Sequence, residues 1–411
     1  MTADDRKLSA LVVNYETGAF AERCVESLLR EWSREGRDAD RLEIVVVDNA
    51  SPTDQGPHLE RIGSLGATVV RSPENLGYAG GMNLALSRTD GGPLDVVAVL
   101  NPDLHFLPGS VRVLMDYLAE HPECGVVAPR ATIDPGGVIH LPKNALATLA
   151  EELRAFGARI SPLLCRAYSR RRLRAAIPWW TASEPLVTDM LSGCCLFLRR
   201  DVIAELPALM DERFPLYYED TDLFRTLHRL GHTVVQHTGA SILHHWSRSS
   251  GIGESFAGEP QRRYAESRRA YYRKHYGPLG LSVVQALDWL SERWPKRAMH
   301  RPMHRLEPLG ALAEPIELRL PRRCRFLVEI AMHPDWLLAA GILGEGDRWT
   351  CPPAAWEWFF RGDYFARALD LDTHAVLGAW SFQKTTAGRD RPVDSEELDS
   401  SPEPALRQAA P

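Results

Sequence analysis

Short apolar runs alternate with helical segments over the first third of the chain, and this alternation restricts the fold more than any other feature. The runs at 8–14, 42–47 and 96–100 are rich in valine, leucine and isoleucine and are typical of fully buried strands. The segments at 18–32 and 77–86 have the composition of helices. Strands that alternate with helices form mostly parallel sheets covered on both faces. We therefore predict an α/β fold with a Rossmann-like, mostly parallel sheet.

Polar residues stand where three of these predicted strands end. Asn14 and Asp48 close the first two strands, and Asn101-Pro102-Asp103 follows the run at 96–100. Ligands of parallel sheets bind at the carboxyl ends of the strands. Because packing does not readily explain polar side chains at successive strand ends, the pattern predicts a binding site there.

A second group of acids lies further along the chain. Glu219, Asp220 and Asp222 directly follow the aromatic run Phe214-Pro-Leu-Tyr-Tyr. Adjacent carboxylates near a protein interior are costly unless a cation, a donor group or a reaction requires them. The alternative is a solvated helix start, which also favours acids, with an ion pair between Asp222 and Arg225.

The ordered set of these motifs resembles the family 2 inverting glycosyltransferases, and within them the rhamnosyltransferase-like branch. The resemblance covers about residues 8–275 and is carried by Asn14, Asp48-Asn49, the glycine-rich turn Asn75 to Asn83, Asn101-Pro102-Asp103, Gly193, Glu219-Asp220-x-Asp222 and His244-His245. It implies a GT-A fold, a nucleotide-diphosphate-sugar donor and a divalent metal. Asn101 replaces the first acid of the family's common Asp-x-Asp motif, a departure that is typical of this branch.

The resemblance also implies roles for individual residues. The metal, Mg²⁺ or Mn²⁺, would bind Asp103 and one of His244 and His245, with His244 favoured by its spacing to Ser249. The donor would contact a larger set of side chains and glycines: Asn14, Asp48, Asn75, Gly77, Gly81, Asn83, Asn101 and Arg225. From the residues alone, Asp48-Asn49 is as compatible with an ordinary turn as with donor binding, and a lone glycine cluster favours an ordinary turn. Asn-Pro-Asp is also compatible with a plain turn.

The acid motif would supply the catalytic carboxylates. An inverting transfer is a single displacement in which one carboxylate removes the proton of the acceptor hydroxyl. We assign that base to Asp220, and expect Glu219 and Asp222 to position the base or the acceptor. A metal would offset the charge of the departing diphosphate.

The expected activity is transfer of L-rhamnose from dTDP-rhamnose to a glycan or polyprenyl-linked acceptor in cell-surface polysaccharide synthesis. One alternative keeps the fold and uses a UDP-sugar donor, either a hexose or galactofuranose. The other is a carbohydrate-binding or scaffold protein with a vestigial transferase domain.

Beyond the transferase domain, expected at 1–280 with a basic insertion at 141–185, the composition changes. We predict a linker at 281–304, a small β-rich domain at 305–385 and a disordered tail at 386–411. Tryptophans are concentrated in the β-rich part. They are either core residues or stacking platforms for sugar rings.

The charge distribution restricts the partners. A net charge of −6 argues against a general polyanion-binding protein. The segment 154–174 nevertheless holds seven arginines and no acid, and Trp179-Trp180 follows it. It predicts either a solvated helix face or, over 154–180, contact with an anionic membrane. Binding of nucleic acid is the weakest interpretation of this basic segment. Scattered cysteines and the lack of a long apolar stretch lead us to expect a cytoplasmic protein, either free or at the inner face of the membrane.

Overall fold

The computed structural model describes residues 5–214, 216–245, 259–293, 302–389 and 391–393. Its helices are α1 (Gly18–Arg34), α2 (Gly56–Ser64), α3 (Gly77–Leu86), α4 (Ser110–Glu120), α5 (Leu149–Ile160), α6 (Pro162–Thr181), α7 (Arg200–Ala204), α8 (Glu219–Leu230), α9 (Glu259–Arg293) and α10 (Pro353–Trp356). Its strands are β1 (Leu8–Asn14), β2 (Leu42–Asp48), β3 (Thr68–Arg71), β4 (Val96–Leu100), β5 (Leu104–Phe106), β6 (Cys124–Thr132), β7 (Leu186–Val187), β8 (Cys195–Arg199), β9 (Thr233–His244), β10 (Glu307–Leu312), β11 (Glu317–Ala331), β12 (Ala340–Thr350), β13 (Gly362–Asp370) and β14 (Val376–Lys384).

Parts of three predictions lie outside the described residues. Ser249, whose spacing favoured His244, is one of them. The others are residues 294–301 of the predicted linker and most of the predicted tail.

The chain divides into two compact units, of which the first comprises residues 1–131 and 183–277 together with 391–399. Its nine-stranded sheet has the order β3-β2-β1-β4-β8-β6-β9-β5, with β7 paired to β9. The strands β3, β2, β1 and β4 are mutually parallel, whereas β8 joins β4 in antiparallel fashion. The predicted α/β fold with a mostly parallel sheet is confirmed. The last long strand of this sheet, β9, continues from Thr233 to His244 without a break.

The central strands of this sheet are buried along their whole length. All seven residues of β1 and all five of β4 are buried, as expected for strands covered on both faces. Helix α3 lies close to β1 because Gly81 has no side chain. A Cβ atom there would stand 2.9 Å from Val13, which is closer than real carbon atoms approach. The glycine-rich turn is therefore held beside the end of β1, where Asn14 lies.

The second unit comprises the described residues of 132–182 and 278–390. Its five-stranded sheet has the order β10-β14-β13-β11-β12, and the small β-rich domain is thereby confirmed. The basic segment, expected as an insertion in the first domain, falls almost entirely within this unit. It forms the two helices α5 and α6 rather than one.

The core of the second unit contains tryptophans whose role, as core residues or as sugar-stacking platforms, the sequence did not decide. Five of them are buried: Trp336, Trp349, Trp356, Trp358 and Trp380. They pack as core residues, so these five rings do not form an exposed sugar-stacking platform. Trp179 and Trp180 are buried as well, and the indole N–H of Trp180 donates to the carbonyl oxygen of Leu141 at 2.9 Å.

Helix α9 continues into the segment that we expect to be the linker. The backbone of Gly277 leaves the helical region (φ 67°, ψ −165°) and Pro278 follows, but helical structure resumes and continues to Arg293. Val284 and Leu287 are buried, and their spacing of three residues places them on one helix face. Among the described residues, no helix is both long and apolar enough to cross a bilayer.

Candidate active site

The first strand ends are joined by hydrogen bonds between their polar side chains. The Asn14 amide donates to Asp48 Oδ1 at 2.8 Å, and the hydroxyl of Ser51 donates to the same oxygen at 2.7 Å. Asn14 Oδ1 in turn accepts from the backbone N–H and the hydroxyl of Thr17. Asn14 is therefore a positioning residue that fixes one oxygen of Asp48, and the other oxygen of Asp48 has no hydrogen bond among the described residues.

The glycine-rich turn is attached to the end of β2. Asn49 Oδ1 accepts from the N–H of Leu76, and its amide donates to the carbonyl oxygen of Gly77 at 3.0 Å. Asn75 Oδ1 accepts from the N–H of Gly77 at 2.9 Å. Gly77 has a φ of 72°, a conformation that glycine adopts at little cost. The turn needs glycine at this position, so its sequence is explained by backbone geometry as well as by the predicted donor contact.

Tyr78 connects the turn to Asn101, and it was not among the predicted site residues. Its hydroxyl donates to Asn101 Oδ1 at 3.0 Å. Burial, followed by the charges of Glu219, Asp220 and Asp103, raises the pKa of Tyr78 well above its ordinary value. Tyr78 therefore stays neutral and lies between the Asn-Pro-Asp turn and the acid motif. Its place inside the glycine-rich motif was the signal that could have identified it.

Asp103 and His244 form the candidate metal centre. The Asp103 carboxylate is fully buried, and neither oxygen has a hydrogen-bond partner among the described residues. His244 Nε2 lies 3.3 Å from Asp103 Oδ1. Burial opposes the charge on both groups, but their mutual attraction outweighs it: the pKa of Asp103 is lowered, and that of His244 is raised well above its usual value.

This arrangement fits a hard divalent cation. The buried Asp103 carboxylate makes no hydrogen bond among the described residues, and the protonated His244 beside it offsets its charge. A divalent cation bound here would take over that role once His244 has released its proton. Mg²⁺ and Mn²⁺ need few protein ligands when diphosphate oxygens complete the coordination. Among the described residues no group of three or more candidate ligands exists, so Asp103 and His244 would share the ion with the donor. His245 differs from His244: its backbone N–H donates to the Asp103 carbonyl oxygen, and its ring packs near Phe20.

The acid motif opens helix α8 on a constrained backbone. Tyr217 and Tyr218 have φ values of 62° and 71°, which are unfavourable for side chains of this size and often mark functional sites. Burial and the neighbouring Asp220 raise the pKa of Glu219 to about 8. Burial also raises the pKa of Asp220, although Thr221 donates to its carboxylate from both its N–H and its hydroxyl. At neutral pH the pair therefore carries less negative charge than two ordinary carboxylates.

Gly193 lies directly against Asp220. A Cβ atom at Gly193 would stand 2.8 Å from Asp220 Oδ2 and 2.9 Å from Asp220 Cβ. The loop before β8 can approach α8 this closely only without a side chain. Gly193, which the resemblance included without a role, thus sets the position of Asp220.

Asp222 faces a different set of groups from Asp220. Lys274 Nζ lies 2.7 Å from Asp222 Oδ2, and His275 Nε2 lies 2.6 Å from Asp222 Oδ1. Lys274 also contacts Asp211 at 2.8 Å. The ion pair of Asp222 with Arg225 was the alternative interpretation of this motif, but the cations that contact Asp222 here come from α9, far away in sequence.

Arg225 instead donates to the hydroxyls of Tyr271 and Tyr276. Its guanidinium also lies 4.3 Å from the centre of the Tyr276 ring. These contacts attach α8 to α9, and the predicted contact of Arg225 with the donor stays a prediction.

Asn83 also has a structural partner. Its amide donates to the Met210 carbonyl oxygen at 2.9 Å and accepts from the Met210 N–H at 3.1 Å. Asn83, Met210, Asp222 and Lys274 line a cavity of about 320 Å³. The donor contact predicted for Asn83 remains untested, and the cavity provides space beside the acid motif for part of a ligand.

Comparison with known proteins finds glycosyltransferases. A model of the family described as Glycosyl transferase family 2 matches residues 9–174. Two relatives, from two strains of Mycobacterium tuberculosis, are both N-acetylglucosaminyl-diphospho-decaprenol L-rhamnosyltransferases. Each is 28% identical over 257 residues, and the alignment covers 59% of this chain and 78% of the relative.

Solved structures show only a distant likeness. TarS 1–349 of S. aureus has a TM-score of 0.42 and 13% identity, with 70% of this chain and 91% of that chain covered. The mannosyltransferase PcManGT of Pyrobaculum calidifontis, in complex with GDP-Man and Mn²⁺, has a TM-score of 0.39 and 15% identity, with 72% and 77% covered. GalNAc-T7 with UDP, GalNAc and Mn²⁺ has a TM-score of 0.41 and 14% identity, with 60% of this chain and only 46% of that chain covered.

Proposed function

Because this chain is a family 2 glycosyltransferase of the rhamnosyltransferase-like kind, we propose that it transfers L-rhamnose from dTDP-rhamnose to a polyprenyl-linked glycan by one inverting displacement. The sugar and the lipid-linked acceptor are suggested by the names of the relatives from Mycobacterium tuberculosis. The donor and the acceptor of this chain are part of the proposal.

The observation that carries the proposal is the Asp103 carboxylate, which is fully buried, makes no hydrogen bond among the described residues and pairs with His244 at 3.3 Å. Asp103 and His244 would hold Mg²⁺ or Mn²⁺ together with oxygens of the donor diphosphate. When bound, the metal would offset the negative charge that develops on the departing nucleoside diphosphate.

Asp220 is the proposed base. It would accept the proton of the acceptor hydroxyl while that oxygen attacks the anomeric carbon. A raised pKa suits this task, because a base works best when its pKa approaches the working pH. Glu219, with its pKa near 8, keeps its proton at neutral pH and leaves Asp220 as the anionic member of the pair. Asp222 would position α8 through Lys274 and His275.

Asp48 would bind the nucleoside. One of its oxygens is occupied by Asn14 and Ser51, which fixes the carboxylate plane and leaves the other oxygen to accept from a pyrimidine N–H or a ribose hydroxyl. The same contacts would serve uracil. A UDP-sugar is therefore the alternative donor, because the Asp48 contacts do not distinguish the two pyrimidines.

Calorimetric titration of the purified protein with dTDP and UDP, each with and without Mn²⁺, tests the proposal. We expect Mn²⁺-dependent binding of dTDP that Asp103→Asn removes and that Asp220→Asn leaves within about twofold, because the base does not contact the nucleotide. Preference for UDP would contradict the rhamnosyl donor. Equal binding by the Asp103→Asn variant would contradict the metal role.

A further inference from the structure

Helices α5 and α6 form an antiparallel hairpin with a very short turn. Only Ser161 separates them. The Tyr168 hydroxyl donates to Glu151 Oε1 at 2.6 Å, and Leu164 packs against Gly157, where an added Cβ atom would lie 3.0 Å from Leu164 Cδ1. Contacts therefore run from the turn back along both helices, and the turn forms a defined tip.

Helix α6 has two opposite faces. One face is buried and consists of residues spaced three or four apart: Cys165, Ser169, Leu173, Ala176 and Trp180. The other face is exposed and carries the arginine stripe, which we define as Arg166, Arg170, Arg171 and Arg174. No aspartate or glutamate occurs between Leu153 and Ser183. The acids of the hairpin are Glu151 and Glu152 at the start of α5, and Glu151 lies beside Arg154 and Arg172 and accepts from the Tyr168 hydroxyl.

The tip of the hairpin is apolar and exposed. Leu163 is 74% exposed and Leu164 is 50% exposed. Arg159 and Arg166, both exposed, flank them on the two helices. Single exposed leucines are ordinary on protein surfaces. Two adjacent leucines at the end of a helical hairpin, with an exposed arginine nearby on each helix, are a different arrangement, because the same surface offers apolar insertion and positive charge together.

We propose that this hairpin docks the protein on an anionic lipid bilayer, with Leu163 and Leu164 entering the acyl boundary and the arginine stripe lying on the headgroups. The stripe spans about 12 Å, from Arg166 to Arg174, at 1.5 Å per residue. Interfacial helices combine an apolar portion with basic residues in this way. A polyanion such as RNA would engage the arginines but would leave the leucines without a role.

The proposal goes beyond the sugar transfer and does not depend on it. It also differs in detail from the sequence-based expectation for 154–180. Trp179 and Trp180 are buried and cannot reach a bilayer, and Arg172 is committed to the carbonyl oxygens of Lys143 and Leu337.

Flotation of the full-length protein with vesicles tests the proposal. The vesicles contain phosphatidylcholine alone or phosphatidylcholine mixed with phosphatidylglycerol. We expect binding to the anionic vesicles that weakens as salt rises. Each arginine near an anionic surface strengthens binding about fivefold, so Arg166→Gln with Arg170→Gln should weaken it roughly 25-fold. Leu163→Ser with Leu164→Ser should weaken it by about tenfold or more.

The matched control removes two exposed arginines from a strand of the same unit, by Arg319→Gln with Arg323→Gln. Their side chains are 79% and 80% exposed, and the net charge changes equally. Control and hairpin variants that bind alike would overturn the proposal, as would equal binding to neutral vesicles. Binding of RNA with no binding of vesicles would also overturn it. All variants should keep wild-type dTDP affinity. A loss of vesicle binding can then be distinguished from a failure of the proposed sugar transfer.

Discussion

Replacement of Gly193 by alanine tests how closely the position of the proposed base is controlled. The new Cβ atom would stand 2.9 Å from Asp220 Cβ, whereas carbon atoms in contact lie about 3.5–4.0 Å apart. The loop and the start of α8 must therefore separate by roughly 0.6–1.1 Å. Because Asp220 Cβ is fixed to the helix backbone, rotation of the side chain alone does not relieve the contact.

A displacement of about 1 Å in a catalytic group can reduce the rate about 100-fold, and overpacking of this kind costs about 1–3 kcal/mol of stability. We expect Gly193→Ala to lower kcat roughly 30- to 100-fold while the Kd for dTDP with Mn²⁺ stays within about twofold. The assay is transfer from dTDP-rhamnose to a lipid-linked acceptor, combined with calorimetry and thermal unfolding.

Gly63→Ala is the matched control, since a Cβ atom there meets only Val69 at 3.9 Å. It should leave kcat unchanged and slightly raise stability, as alanine does within helices. A folded Gly193→Ala variant with wild-type kcat would refute the reasoning. Equal losses of kcat and of nucleotide affinity would show a general disturbance of the site instead.

Three further predictions concern other buried polar groups. Glu219 has an ordinary pKa of 4.5 and a folded-state pKa of about 8, so between these pH values the folded state retains a proton that the unfolded state releases. The free energy of unfolding should therefore fall as pH rises from about 4.5 to 8. Denaturant titrations at several pH values should show a smaller fall for Glu219→Gln. Tyr78→Phe removes the hydrogen bond to Asn101 and should cost roughly 1 kcal/mol of stability by chemical denaturation; no measurable loss would argue against that contact. Glu329→Gln breaks a buried ion pair with Arg367, whose atoms lie 2.5 Å apart, and should cost roughly 3–5 kcal/mol. The double variant Glu329→Leu with Arg367→Met should be much closer to wild type in thermal unfolding, and a double variant as unstable as the single one would contradict this.

The sequence could predict those parts of the fold that depend on local patterns. β1, β2 and β4 are continuous apolar runs, and α3 begins at a glycine that takes a positive φ. Local periodicity and turn chemistry determine such elements, so the pattern was sufficient for the α/β class and for the polar strand ends. The alternation of apolar and polar residues in β11 and its neighbours was likewise sufficient to predict a separate β-rich part.

Contacts between distant segments could not be predicted in this way. Helix α9 supplies Lys274 and His275 to Asp222, about 50 residues away in sequence, and nothing near Asp222 indicates these partners. Trp179 and Trp180 follow a basic run that suggested an exposed anchor, yet packing within the second unit buries them.

The sequence by itself indicated the resemblance to the family, the strand-and-helix order and the residue types at the candidate site, because each is encoded in a short window of the chain. Only the tertiary structure decided that His244 rather than His245 faces Asp103, that Tyr78 lies among the acids, and that Gly193 sets the position of Asp220. These relations join strands, loops and helices that are up to about 140 residues apart. They depend on which segments pack together and at what distance, and one-dimensional spacing does not contain that information.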